Sequence, residues 1–256
     1  MTYARRFSRR SVPPVVFLIV GALLASCGSE DGDVDHGACA APPGVDEDLA
    51  PLPHFSARIA RGGPVTIVAL GSSSTEGIGA SEPSRSYPSR LRSELAERLP
   101  GIAVEVLNRG VGGDTTAAML ARIERDAIAP RPDLVIWQVG SNDVLGDEDP
   151  VAVGMAIREG IARLRGVGTD VVLMDVQYAP AILEHEGYRA IEDAIARVAR
   201  ADGVPVFRRF DTMRQWDGSG ALPAGALLYR DHLHMNDLGY RCIARLLAED
   251  IVTAAR

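Results

Sequence analysis

The chain predicts an α/β domain built on a doubly wound parallel sheet, and three observations predict it. From residue 64 onward, short runs of β-type residues alternate with longer segments of helical periodicity. The short runs are continuously apolar, as strands covered on both faces require. Polar, glycine-rich loops follow three of them, at the strand ends where an open α/β sheet carries its ligands.

Five strands are expected. The first spans residues 65–70 (Val-Thr-Ile-Val-Ala-Leu) and stops at Gly71; the second spans 104–107, the third 133–139 and the fourth 170–176. A weaker fifth covers 204–207, where Pro205 interrupts the run. Between them, apolar residues recur at helical spacing. Leu91, Leu95 and Leu99 share one face, after Ser86 as a candidate N-cap and Pro88 in the first turn. Thr116, Leu120, Ile123 and Ala127 share a second face, and Val153, Ile157, Ile161 and Leu164 a third. Tyr188, Ile191, Ile195 and Val198 form a fourth. Ile243, Leu246, Leu247 and Ile251 form the last, behind Asn236 and Asp237 as capping candidates. No internal repeat divides the chain.

The N-terminal stretch reads as an export signal. Arg5, Arg6, Arg9 and Arg10 precede an uncharged apolar run over 15–24. That run is shorter than the roughly 20 residues a spanning helix needs. It ends in Leu24-Ala25-Ser26-Cys27, which resembles the lipobox of bacterial lipoproteins. Residues 1–26 are therefore expected to be a lipoprotein signal peptide. Residues 27–50, acidic and glycine-rich, would be a lipidated tether at Cys27, and 51–256 the globular domain. The chain is expected at the cell envelope, held to the membrane by that lipid and facing the periplasm or the exterior. Loss of residues 1–26 removes four arginines and no acid, taking the net charge from −7 to about −11. So acidic a chain, with no other basic run, is not expected to bind nucleic acid.

Once Cys27 is set aside, Cys39 and Cys242 form an even pair in a compartment that permits disulfides. Two readings stay open. Either they bond and pin the start of the domain to the last helix, or Cys242 is a small buried residue between Leu238 and Leu246.

Four segments carry chemistry. The first strand runs into Gly71-Ser72-Ser73-Ser74-Thr75-Glu76-Gly77, small residues that let the backbone turn sharply and expose a side chain. The second is followed by residues 108–115, Asn-Arg-Gly-Val-Gly-Gly-Asp-Thr. Its glycines miss the dinucleotide fingerprint, because Thr115 stands where the third glycine belongs. The third strand runs into Gly140-Ser141-Asn142-Asp143, whose side-chain amide can aim an N–H at a bound oxygen. Near the C-terminus lies Asp231-His232-Leu233-His234. A zinc site there would need ligands that the remaining histidines, His36, His54 and His185, are poorly placed to give.

Taken in this order, the four segments resemble the blocks of the GDSL/SGNH hydrolases, over about residues 64–252. The resemblance implies a five-stranded, flavodoxin-like three-layer sandwich, the SGNH hydrolase fold. It also implies a site made of Ser73, Gly113, Asn142 and His234, with Asp231 three residues before the histidine. Ser72 replaces the aspartate of the family's Gly-Asp-Ser, and Met235 replaces a frequent proline.

In that site His234 would take the Ser73 proton, and Asp231 would hold the other imidazole nitrogen. The Ser73 and Gly113 backbone N–H groups and the Asn142 amide would receive the oxyanion. Acyl transfer to water through an acyl-enzyme then needs no cofactor and no metal. The expected substrates are carboxylic esters of small acyl groups, including carbohydrate O-acetyl esters. An envelope O-acyltransferase using the same serine, or a non-catalytic anchored binding module, stays open on sequence alone. Tyr178-Ala179-Pro180-Ala181 and the 211–230 stretch, with Trp216, Pro223 and Tyr229, are the segments expected to choose the substrate or simply to pack as loops.

Overall fold

The structure, a computed structural model, describes residues 39–43, 45 and 49–256. The expected signal peptide and Cys27 lie outside the described residues. In chain order the elements are α1 (Pro53–Ala60), β1 (Val65–Gly71), α2 (Ser73–Glu76), α3 (Tyr87–Arg98), β2 (Val104–Gly110) and α4 (Thr116–Ala121). Then come β3 (Leu134–Gln138), α5 (Ser141–Leu145), α6 (Pro150–Gly166), β4 (Asp170–Met174), α7 (Pro180–Leu183) and α8 (Tyr188–Asp202). The last are β5 (Val206–Phe207), α9 (Arg209–Ser219), α10 (Ala224–Leu227) and α11 (Asp237–Ala254).

All strand pairs are parallel, in the order β2-β1-β3-β4-β5. The chain starts mid-sheet, steps out to β2 and returns across β1 to β3. Right-handed crossovers then put α3 on one face and α4, α6 and α8 on the other. Packing follows suit: α3 lies on α11, and α6 on α4 and α8. β3 and β4 are buried at every residue, which explains their unbroken apolar runs. The direction reverses between β1 and β3, and there the loops after the two strands diverge and leave a crevice. The doubly wound, five-stranded sandwich read from the sequence is the fold observed.

Three local departures have physical causes. β2 continues past Leu107 to Gly110, because pairing with β1 (Ala69 to Asn108, Gly71 to Gly110) outweighs the poor strand propensity of Asn108 and Gly110. The helix expected over 116–127 is α4 followed by a π-helical turn at Glu124–Ile128, yet Ile123 and Ala127 still face the core. Ser86 begins α3 without capping it; its hydroxyl donates instead to the Pro83 carbonyl at 2.8 Å. Asn236 does cap α11, accepting from the Leu238 and Gly239 N–H groups.

Within the segment expected as tether, some of the described residues are packed. Cys39 and Cys242 are joined by a disulfide, with Cα atoms 4.9 Å apart. Both cysteines are buried, as is Leu49. The Trp216 indole donates to the Ala40 carbonyl at 2.9 Å, and the Leu52 N–H to the Ala254 carbonyl at 3.2 Å. Trp216 is thereby a core residue under the chain's first described turn, so of the two roles open to it packing is the one observed.

Candidate active site

Ser73 sits where β1 stops. Ser72 leaves the strand in extended conformation, α2 begins at Ser73, and Gly77 closes that single turn at φ +108°. The bend is tight enough that a Cβ on Gly71 would strike Thr75 Oγ1, and one on Gly110 would strike the backbone of Glu76. These two glycines let β1, β2 and the Ser73 turn meet.

Buried amides hold the turn. Gln138, the last residue of β3, accepts at Oε1 from both the Ser72 N–H and the Ser72 hydroxyl, each at 2.9 Å, and from Thr75 Oγ1 at 3.3 Å. Ser72 thus stands in for the family's aspartate as a donor to a neutral amide, and no charge is buried there. Gln177, just beyond β4, accepts from Ser74 Oγ at 2.8 Å and donates to the Leu233 carbonyl at 2.9 Å. It links the residue after Ser73 to the residue before His234. Sequence reasoning missed both glutamines. The signal was a polar amide inside or just after an otherwise apolar buried strand, a position that needs an internal partner.

His234 is brought to Ser73 by the turn before α11. Its Nε2 lies 2.8 Å from Ser73 Oγ and its Nδ1 lies 2.7 Å from Asp231 Oδ2. The other Asp231 oxygen accepts from the Leu233 and His234 N–H groups at 3.0 and 2.9 Å. Burial works against ionisation of Asp231, but these bonds, led by the one from the His234 ring, hold its carboxyl below the ordinary range. The histidine loop is pressed against the loop that follows Ser73 at Gly79 (φ +91°), where a Cβ would strike the Met235 carbonyl and come within 3.2 Å of His234 Cβ. Tyr240 adds a bond from its hydroxyl to the Ile78 carbonyl at 2.6 Å. His232, exposed at φ +59°, takes no part in these contacts. Among the described residues no group of three or more His, Cys, Asp or Glu is placed to hold a metal ion.

The loop that carries Gly113 borders this serine, since a Cβ on Gly112 would lie 3.9 Å from Ser73 Cβ, and Asn142 is bonded to that loop at Asp114. Gly113 has φ +83° and is exposed. Among the described residues neither its N–H nor that of Ser73 has a hydrogen-bond acceptor. Asn142 Nδ2 donates to the Asp114 carbonyl at 2.9 Å, which leaves its second N–H for another acceptor.

Two charged residues frame the loop. Arg122 donates to the Gly71 and Arg109 carbonyls and to Asp114 and Asp126, tying the ends of β1 and β2 to the 112–114 loop. Asp143 accepts from Thr116 N and Oγ1 and from Gly140 N, joining the second block to the third.

Behind the site lies a buried polar layer. Arg209 is fully buried and donates to the Asp175 carbonyl at 2.6 Å; its Nε and Nη1 have no partner. Burial raises the Asp175 carboxyl and, with Asp175 as neighbour, raises Glu192 further still. These carboxyls hold protons that exposed ones would have lost.

Comparison with known proteins bears on the family and the fold. The family model described as the non-GDSL lipase-like family matches residues 38–256. An arylesterase of Vibrio mimicus is 33% identical over 96 residues, which are 38% of this chain and 47% of that protein. An acetylxylan esterase of Geobacillus stearothermophilus is 42% identical over 45 residues, 18% of this chain and 20% of the relative. The chain thus aligns with less than half the length of either. Among solved structures, a two-domain esterase active on acetylated mannans superposes with a TM-score of 0.70 at 21% identity, over 82% of this chain and 55% of its own. That likeness establishes the fold alone. Motif order, fold and family model agree: the chain belongs to the non-GDSL lipase-like family, within the GDSL/SGNH hydrolases.

Proposed function

We propose that the chain is a serine hydrolase of carboxylic esters that works through an acyl-enzyme. The observation that carries this reading is the continuous hydrogen-bonded chain from Asp231 through His234 to Ser73, at 2.7 and 2.8 Å. His234 Nε2 removes the proton as Ser73 Oγ attacks the ester carbonyl, and Asp231 stabilises the resulting imidazolium. The tetrahedral oxyanion is received by the Ser73 and Gly113 N–H groups and by the free N–H of Asn142. The imidazolium then protonates the leaving alcohol. His234 next activates a water, which attacks the acyl-Ser73 carbonyl and releases the acid.

The acyl groups are small and the alcohols are sugar hydroxyls. Two observations support this: the acetylxylan esterase relative, and a nucleophile only half-buried between loops. The lipobox-like Leu24-Ala25-Ser26-Cys27 supports export and anchoring at Cys27, with the domain facing the periplasm or the exterior.

The deciding experiment pairs hydrolysis of p-nitrophenyl acetate with labelling by a fluorophosphonate, in the wild type and in Ser73→Ala. Turnover and labelling that both disappear in Ser73→Ala are expected. Folded wild-type protein that neither turns over nor labels would leave a binding module as the reading. Incorporation of radiolabelled fatty acid, lost in Cys27→Ala, tests the anchor.

A further inference from the structure

We propose that a pocket beside the active site, between α7, α8 and α9, binds a carboxylate-bearing sugar unit of a polymeric ester substrate. The proposal rests on the reading of Ser73 as an ester-cleaving nucleophile and extends it to what the enzyme holds while it cleaves. The pocket is a cavity of about 500 Å³ lined by Tyr178, Leu183, Tyr188 and Phe210, with Arg189 and Arg214 at its rim.

Its position suits a second contact along one chain. Tyr178 follows β4 and Phe210 follows β5, so the pocket opens on the same carboxyl edge of the sheet as Ser73. Ser73 follows β1, and β3 and β4 lie between β1 and β5. At the usual spacing of about 4.8 Å per strand, the two sites stand roughly 10–15 Å apart along the edge. The wall between them is shared. The Ala181 N–H of α7 donates to the His232 carbonyl at 3.4 Å, and Gln177, next to Tyr178, donates to the Leu233 carbonyl. A single sugar ester held at Ser73 would not reach the pocket, whereas a chain of a few units would.

Its chemistry selects the unit. Phe210 fixes two tyrosines. Tyr188 stacks on it with centroids 5.7 Å apart, and Tyr178 meets it edge-on at 5.5 Å. Both tyrosines are half-exposed and offer the amphipathic ring surface against which the flat faces of sugar rings pack. An acyl chain would be served by the apolar rings alone, but this rim is cationic. Arg189 lies over the Tyr188 ring at 5.2 Å and has no carboxylate partner among the described residues. Arg208 and Arg214 share Asp211, and Asp217 is held by the Tyr178 hydroxyl and the Ala224 N–H. The pocket's own charged lining is Arg189 and Arg214 against the single carboxylate Asp211, a locally positive rim on a chain of net charge −7. A planar guanidinium matches a carboxylate through paired hydrogen bonds.

Two measurements on the full-length chain test this. In the first, oligogalacturonate and neutral manno-oligosaccharides of equal length are titrated calorimetrically into Ser73→Ala. Tighter binding of the acidic oligomer is expected, weakened by salt and reduced roughly 10–100-fold by the added exposed change Arg189→Gln. In the second, acetate release is followed from acetylated glucuronoxylan and from acetylated mannan. With Ser73 intact, Arg189→Gln should raise KM on the acidic polymer alone and leave kcat and p-nitrophenyl acetate turnover unchanged. Equal binding of the two oligomers, or equal losses on both polymers, overturns the pocket. Absent turnover with selective binding retained overturns the ester-hydrolase reading and leaves the pocket standing.

Discussion

Replacing Gln177 by leucine removes in one step the acceptor for Ser74 Oγ and the donor to the Leu233 carbonyl, at 2.8 and 2.9 Å. Ser74 and Gln177 are each only 1% exposed, so water cannot replace the lost partner of the hydroxyl. An orphaned buried hydroxyl costs about 1–3 kcal/mol; the half-exposed Leu233 carbonyl bears the lower part of that range, so Gln177→Leu should lose about 2–4 kcal/mol. Turnover should fall further than stability implies. Leu233 precedes His234, and a shift of about 1 Å between base and nucleophile is worth about 10² in rate.

Ser74→Ala separates the two effects. In the double variant Ser74 has no hydroxyl to orphan, so it should be more stable than the sum of the single losses by about 1–3 kcal/mol. Urea unfolding gives the stabilities, and p-nitrophenyl acetate gives kcat and KM. Single losses that add to within about 0.5 kcal/mol, or a kcat in Gln177→Leu equal to wild type, would refute the reasoning.

Four further outcomes are expected. Asn142→Ala should lower kcat by roughly 10²–10³ in steady-state assays, since it removes an oxyanion donor along with the bond to the Asp114 carbonyl. Asp231→Asn should keep its bonds from the Leu233 and His234 N–H groups and therefore its melting temperature. It should nonetheless lose about 10⁴ in kcat through the wrong imidazole tautomer; a mild loss would mean that His234 has another acceptor. Gly79→Ala should destabilise by about 1–3 kcal/mol, because φ is +91° and the new methyl meets the Met235 carbonyl; a thermal melt unchanged from wild type would discount that contact. The last concerns pH. Glu192 and Asp175 titrate above the ordinary carboxylate range in the fold, so the folded chain binds more protons than the unfolded chain above about pH 4. Stability should therefore fall as pH rises from there through neutrality, and Glu192→Gln should flatten the decline in urea midpoint.

The sheet was legible because its central strands β1, β3 and β4 are buried and read as nearly unbroken apolar runs. The motif blocks were legible because small residues gather where strands end. What escaped was the polar scaffolding. Gln138 and Gln177 look like interruptions of apolar strands until the structure shows that one gathers Ser72 and Thr75 and the other ties Ser74 to Leu233. Arg209, Asp175 and Glu192 escaped for the same reason, since residues that meet only in three dimensions leave no periodicity. The Cys39–Cys242 bond was one of two readings the sequence left open, because three cysteines show an even pair once Cys27 is set aside but spacing along the chain does not show which side chains meet.

The disulfide makes the domain a covalent ring. It joins positions 203 residues apart, and Ser73, Gly113, Asn142, Asp231 and His234 all lie within the span it closes. A protease that cuts once at an exposed loop inside this span opens the ring without releasing either piece, because each fragment remains bonded through Cys39 or Cys242. Nicked protein would run as one band until reduced and as two afterwards. A serine on one fragment could still be served by a histidine on the other. Such closure turns a first cleavage from separation of the two pieces into a change of topology.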